Sequence, residues 1–441
     1  MRENKQSETR PTCSTRRRFL KSTAAGVSAA MAANVAISRT AHAAGGESIK
    51  IGMIGCGGRC SGAASAALGQ GKDVKLVAMA DVFEDRMRSR RELFTKQYPD
   101  QFAATDDTCV FGLDGYKRVI EASDAVLIAC ASKFHPYYAE KAIEAGKHVF
   151  LEKPHAIDPA GCIRLRRVGK IAAEKGLSLV SGHESRYSLA YQEQAKRILD
   201  GAIGDITAIQ SMFLRGPYRL VRRNPQLSET EYQFSNWYHF RWLSGDDVTQ
   251  SLVHNLDRMR WILHEENPKS CFGLGGRSSG FGEVFGDMFD HGTVVYEMPS
   301  GARINAMCQT RVGCYANWDD IVMGTKGVCY WSRCRIEGET NWRYDGPKNN
   351  PHIEEQKIFI ESIRSGKPVN HQDTMIDSTY MAVMGQISVY TGKPVTWEQM
   401  MAADFEFEPK VEEVTLRMEP PTLPDESGNY PLPIPGVTRF L

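Results

Sequence analysis

The chain has 441 residues, enough for two domains with separate cores, and 42% of them are hydrophobic. Its 54 basic and 53 acidic side chains leave a formal net charge of +1, which excludes the electrostatic footprint of a nucleic-acid binder or a polybasic membrane-surface protein. The 11 cysteines form no C-x-x-C pair and no zinc-type Cys/His spacing, so buried free thiols are expected, with room for one or two disulfides, and no metal.

Residues 1–43 read as an export signal. Thr15-Arg16-Arg17-Arg18-Phe19-Leu20-Lys21 carries a twin arginine, a weakly apolar run of small residues follows from Ser22 to Ser38, and Ala41-His42-Ala43 offers an A-x-A cleavage site. The run is too short and too rich in alanine and serine to span a membrane, so the expectation is a periplasmic protein exported by the twin-arginine route, with no membrane span.

From residue 44 to 168, apolar strands alternate with amphipathic helices, which predicts a parallel sheet with crossovers. The strand Ile49–Ile54 turns through Gly55-Cys56-Gly57-Gly58-Arg59-Cys60 into a helix of small residues, Ser61 to Ala67. Gly55 permits the tight turn, Gly57 lets backbone N–H groups approach a pyrophosphate, and Gly58 and Arg59 open the helix whose positive end faces the anion. Cys60 stands where the third glycine of G-x-G-x-x-G is usual and predicts slightly looser helix–strand packing. A second strand, Val74 to Ala80, ends in Asp81, at the spacing where an acid binds ribose hydroxyls. Further strands, Ala125 to Ala131 and His148 to Leu151, lead to Ser132 and to Glu152-Lys153-Pro154. In such sheets ligands sit at the carboxyl ends of strands, so Gly55, Asp81, Ser132, Glu152 and Lys153 are the candidate cofactor contacts.

Beyond residue 168 the pattern changes. The helix Pro159 to Lys175 and the strand Leu177 to Ser181 lead out of the first domain. Strand-like stretches such as Ile206 to Arg215, Gly292 to Met298, Arg303 to Thr310 and Asp320 to Met323 then dominate, and Pro299-Ser300-Gly301 punctuates a hairpin. The prediction for residues 169–418 is an α+β domain with an open, largely antiparallel sheet. Residues 419–441, rich in proline, should wrap as an extended arm.

The glycine turn, Asp81, Gly146-Lys147-His148-Val149 leading to Glu152-Lys153-Pro154, His254-Asn255-Leu256-Asp257 and Thr391-Gly392-Lys393-Pro394-Val395-Thr396-Trp397 occur in this order. In this the chain resembles the Gfo/Idh/MocA family of sugar and inositol dehydrogenases. The resemblance implies a Rossmann domain that binds NAD(P), a second domain that carries a sugar, and a homo-oligomer built through the second-domain sheet. It places His254 at the family's catalytic histidine and makes Lys153 the second catalytic residue. Histidine suits a base for a hydroxyl proton, and a strand-end lysine stabilises developing alkoxide charge. Asp257, one helical turn beyond His254, is positioned to orient the imidazole or to lie as a helix-surface charge. Many relatives carry an acid four residues before the histidine; this chain has Gln250, which can position a hydroxyl but cannot take its proton.

The stretch Trp237-Tyr238-His239-Phe240-Arg241-Trp242 offers a platform for a pyranose, although core packing accounts for at least half of it. Arg186, Tyr187, Tyr238, Gln250 and Asp257 are the candidate substrate contacts. Asp287, Asp290 and His291 match no firm metal motif and read as loop and strand-edge charges. Asp81 favours NAD because a carboxylate repels a 2′-phosphate, while Arg86 and Arg88 soften that preference and keep NADP open. The expected function is an oxidoreductase acting on a sugar or sugar derivative, with a tightly bound cofactor recycled in place. The alternatives are a glycosidase that oxidises, eliminates and re-reduces its substrate, and a non-catalytic sugar-binding protein.

Overall fold

The structure is a computed structural model and describes residues 48–440; the expected signal segment lies outside the described residues. Six strands form the first sheet: β1 (Ile49–Ile54), β2 (Val74–Asp81), β3 (Cys109–Phe111), β4 (Ala125–Ile128), β5 (His148–Leu151) and β6 (Leu179–Ser181). All neighbours pair in parallel, in the order β3-β2-β1-β4-β5-β6. The central strands are continuous apolar runs because helices cover both faces, as at Ala125–Ile128, where every residue is buried. The helix Pro159–Lys175 shows how locally the sequence sets these elements. The Asp158 side chain accepts from Gly161 N at 2.8 Å, proline occupies the first turn, and Gly176 ends the helix at φ 66°.

The expected boundary at residue 168 falls inside that helix, and β6 belongs to the first sheet, which therefore extends to Ser181. The first layer also recruits chain from far downstream. The helix Pro351–Arg364 packs on the helix Gly58–Leu68, and its Phe359, Ile360 and Ile363 are buried in one core with Ile51, Met53 and Ala64. Arg364 closes the contact with an ion pair to Asp73 at 2.9 Å. A contiguous boundary misses this return because a helix's apolar face does not reveal which core it enters.

The second sheet has nine strands: β7 (Ile206–Arg215), β8 (Ser270–Gly276), β9 (His291–Glu297), β10 (Arg303–Thr310), β11 (Asn317–Gly324), β12 (Gly327–Tyr330), β13 (Arg335–Gly338), β14 (Trp342–Arg343) and β15 (Val395–Thr396). Their order is β14-β13-β12-β11-β7-β10-β9-β8-β15, antiparallel throughout except for the central pair β7 and β10. The helices Val253–Ile262 and Gln372–Thr391 cover one face. On the other, Phe272 and Leu274 of β8 stand 47 and 71% exposed, whereas Trp318 of β11, 62% exposed, lies on the helix side, stacked on Phe213.

From Glu419 the chain runs without regular elements and wraps back over the molecule. It packs behind the helix Glu229–Ser235. Ser228 Oγ donates to Leu416 O at 2.8 Å, Thr230 Oγ1 to Met418 O at 2.6 Å, and Gln233 Nε2 to Thr422 O at 2.8 Å. The buried Tyr430 donates to Glu229, and Phe440 packs against Phe405 and Phe407. The ten cysteines among the described residues are free thiols, seven of them buried.

Candidate cofactor and active site

The order of the first sheet reverses between β1 and β4, and a cavity of about 560 Å³ opens at their carboxyl ends. Its floor is the glycine turn. Gly55 has φ +100°, and a Cβ there would lie 2.5 Å from Ala129 O, so no other residue fits. A Cβ on Gly57 or Gly58 would meet nothing within 4 Å, which leaves open space above the first amides of the helix Gly58–Leu68. That is a cradle for a pyrophosphate. Cys60 replaces the third glycine without loss of closeness. It is fully buried, with Sγ 3.6 Å from Leu127 O and 3.8 Å from Ile54 O.

Asp81 lines the cavity at the end of β2. Its Oδ2 accepts from Cys56 N at 2.7 Å and its Oδ1 from Phe83 N at 3.0 Å, so it also fixes the glycine turn. Arg86, Ser89 and Arg90 line the same end, whereas Arg88 turns outward to Glu84 at 2.6 Å. Arg59 lines the cavity but is held by ion pairs to Glu152 and Glu355.

The opposite wall comes from the second domain: Arg219, Val221 and the run Phe234 to Tyr238. Arg86 Nη2 donates to Ser235 O at 3.1 Å and latches the two walls together. The predicted aromatic platform divides here. Trp237 and Tyr238 face the cavity and stack with ring centroids 3.8 Å apart, while Phe240 and Trp242 enter the core. Tyr218 stacks on the far side of Tyr238 at 4.0 Å and borders a second cavity of about 320 Å³.

Lys153 extends from the end of β5 and donates from Nζ to Gln250 O at 3.0 Å. Gln250 sits in the π-helical turn Val248–Leu252, which opens into the helix Val253–Ile262 that carries His254. The strand-end lysine and the histidine helix therefore converge. Burial pushes the His254 pKa down; Glu184 opposes this, and the charge of Lys153 adds to it, so the imidazole is neutral at pH 7. The ring lies parallel to Phe213, with centroids 6.2 Å apart, and its Nδ1 is 3.0 Å from Glu184 Oε2.

Several expected contacts are placed elsewhere. Gln250 Nε2 donates to Ser132 Oγ across the two domains and to Ser244 O within its own, both at 2.7 Å, so its amide hydrogens are spent. Ser132 is fully buried and, like Glu152 and Lys153, is not part of the cavity lining. Arg186 donates to Asp257 at 2.8 Å and to Glu265 at 2.8 Å, and Tyr187 donates to Ser181 O at 2.9 Å. Asp257 accepts from Ser378 Oγ at 2.7 Å and lies 3.2 Å from His183 Nδ1. These three residues tie β6 to the helices Val253–Ile262 and Gln372–Thr391 and do not reach the cavity. Asp257 thus neither orients His254 nor lies on the surface; its carboxylate is consumed by Arg186, whose partly covered guanidinium needs it.

Sequence reasoning missed Glu184 and the wall formed by Arg219 and Val221. Glu184 follows β6 at its carboxyl end, where the strand-end rule finds ligand-facing residues; reading β6 as an exit from the domain hid it. Asp287 pairs with Arg241 at 3.1 Å and Asp290 with His291 at 2.6 Å, and the described residues contain no group of three or more His, Cys, Asp or Glu arranged for a metal ion.

Residues 49–183 match the profile of an oxidoreductase family with an NAD-binding Rossmann fold, and residues 191–330 match the GFO/IDH/MocA C-terminal domain. The chain belongs to the Gfo/Idh/MocA family. The residues present fit its cofactor, NAD, through the open glycine cradle and Asp81. Among relatives, inositol 2-dehydrogenase 3 of Saccharopolyspora erythraea is 30% identical over 197 residues, 44% of this chain and 50% of that protein. Myo-inositol 2-dehydrogenase of Thermotoga maritima is 26% identical over 337 residues, 73% of this chain and 90% of the relative. Like the first of these, several matched relatives are spanned over only about half their length. The crystal structure of apo scyllo-inositol dehydrogenase from Lactobacillus casei shares the fold at 19% identity and a TM-score of 0.60, covering 79% of this chain and 98% of that one.

Proposed function

We propose that this protein oxidises a ring hydroxyl of a cyclic polyol or sugar derivative with NAD and keeps the cofactor through the cycle. The observation that carries this reading is the approach of Lys153 to the turn that opens the His254 helix. Bound NAD supplies the hydride acceptor. Lys153 donates to the reacting oxygen and stabilises its developing charge. His254, neutral at pH 7 because it is buried, accepts the hydroxyl proton. The names of the matched relatives support a polyol substrate.

Retention of the cofactor is supported by the second-domain wall and its Arg86 latch. A retained cofactor requires a closed cycle: oxidation of one compound coupled to reduction of another, or oxidation and re-reduction of one substrate. The second scheme is the glycosidase reading, which the same latched cover favours equally. Gel-filtered protein should release near-stoichiometric NAD on denaturation, and inositols or sugars should reduce it in place. Empty sites with no reduction by any of them would refute the proposal. Hydrolysis of a glycoside without net NADH would select the second scheme.

Export by the twin-arginine route is part of this reading, supported by Arg16, Arg17 and the Ala41-His42-Ala43 site; cell fractionation tests it. So is a dimer through the outer face of the second sheet, supported by the exposed Phe272 and Leu274. Leu274→Asp should then yield a monomer by light scattering.

A further inference from the structure

The loss of an acid at position 250 leaves a question that the geometry answers. The turn after β6 carries Glu184 towards the histidine helix, with Oε2 3.0 Å from His254 Nδ1. Among the described residues it is the one carboxylate within ion-pair distance of that ring. The other candidates are committed: Asp257 to Arg186, Ser378 and His183, and Gln250 to Ser132 and Ser244. Phe213 stacks on the imidazole and sets its plane, so a contact at Nδ1 sets its rotation within that plane.

We propose that Glu184 is the positioning carboxylate of the reacting centre, holding His254 by Nδ1 and replacing from a different strand end the acid that position 250 lacks. The proposal rests on the reading of His254 as the proton acceptor. His254 Nδ1 and Glu184 Oε2 are both buried, 3.0 Å apart and in no aligned hydrogen bond, so in the neutral ring a small rotation lets Nδ1 carry the hydrogen and donate to Glu184, leaving the lone pair on Nε2 for the substrate. When the substrate O–H bond breaks, the proton moves to Nε2, and the imidazolium that forms is stabilised by the carboxylate already in place. Gln250 is then free to serve as the clamp between the two domains.

The surroundings support an ionised Glu184. Burial pushes its pKa up, but His254, Arg258 and His352 together hold it well below the usual carboxylate range. Arg258 is fixed in turn by Asp320 at 2.6 Å. The groups facing His254 are Glu184 from the turn after β6, Lys153 from the end of β5, and His183. Lys153 and His183 push the ring towards the neutral form, and Glu184 alone opposes them.

The test reads protonation and needs no turnover. In full-length, NAD-loaded protein with isotope-labelled histidine, NMR gives the His254 midpoint. Glu184→Gln should lower that midpoint by about one pH unit, since an opposite charge at this range shifts a pKa by roughly that much or more. In the reciprocal variant, His254→Gln, the labelled Glu184 carboxyl should titrate at higher pH than in the parent. A folded Glu184→Gln protein with an unmoved or raised His254 midpoint would overturn the proposal, as would an unmoved Glu184 midpoint in the reciprocal variant. Coupled midpoints with full turnover in His254→Gln would instead reject His254 as the base while leaving the pair intact.

Discussion

Tyr430 offers the sharpest test of how the cofactor is retained. It touches no part of the nucleotide cavity, yet its hydroxyl donates to Glu229 and accepts from Arg223 Nη2 at 3.1 Å, at the start of the helix whose far end forms the cavity wall. Tyr430→Phe removes both hydrogen bonds and keeps the ring against Phe240, whose centroid is 4.9 Å away. Hydrogen bonds to charged groups contribute about 1.5–3 kcal/mol each. Glu229 keeps Arg223 at 2.6 Å and Gln233 at 2.9 Å, so no buried charge is orphaned and the lower figure applies. For the two bonds together a loss of about 3 kcal/mol corresponds to roughly a hundredfold. If the wall must leave the tail for NAD to escape, release should accelerate roughly a hundredfold. The assay is to load NAD, dilute into cofactor-free buffer, and follow retained nucleotide with time. An unchanged release rate in a variant whose melting temperature has fallen would show that the tail stabilises the fold without restraining the wall.

The same contact predicts acid sensitivity. Burial pushes the Glu229 pKa up, but hydrogen bonds from Arg223, Tyr430 and Gln233 bring it below its ordinary 4.5, so its contribution is present above that value and is lost as pH falls through the folded pKa. NAD retention should therefore weaken only as pH falls below 4.5, and Glu229→Gln should flatten that dependence. Lys153→Ala should abolish turnover while NAD binding persists, read by cofactor fluorescence. Asp81→Asn should weaken NAD at least about tenfold, since charge-assisted acceptance from Cys56 N and Phe83 N is lost, and should raise the NADP to NAD affinity ratio. Gln250→Ala should cost about 2 kcal/mol of stability in denaturant titration, from two lost hydrogen bonds, one of which joins the domains.

Much of the fold was legible because its elements are local. Ile206–Arg215 and Arg303–Thr310 stand as strands at the residues where alternation placed them, and the Pro159–Lys175 helix begins and ends at its own cap and glycine. What escaped was non-local. The sharing of β6 with the first sheet depends on pairing with β5, whose Val149 lies opposite Leu179, and the return of Pro351–Arg364 to the first core and the spending of Arg186 and Asp257 on each other depend on partners more than 70 residues away. Glu184 illustrates the limit: a carboxylate at a strand end is visible in sequence, but its pairing with a histidine on a helix 70 residues later is a property of the folded chain alone.

The return of the helix Pro351–Arg364 bears on biogenesis. A nascent chain that has emerged only as far as β6 has every strand of its nucleotide-binding sheet, yet the flank of the helix Gly58–Leu68 that Pro351–Arg364 covers still faces water until Phe359, Ile360 and Ile363 are synthesised. The nucleotide domain is thus completed by the last quarter of the message. An amino-terminal fragment cut after Ser181 should be prone to aggregate, and cofactor capture belongs to the finished polypeptide rather than to the ribosome-bound one.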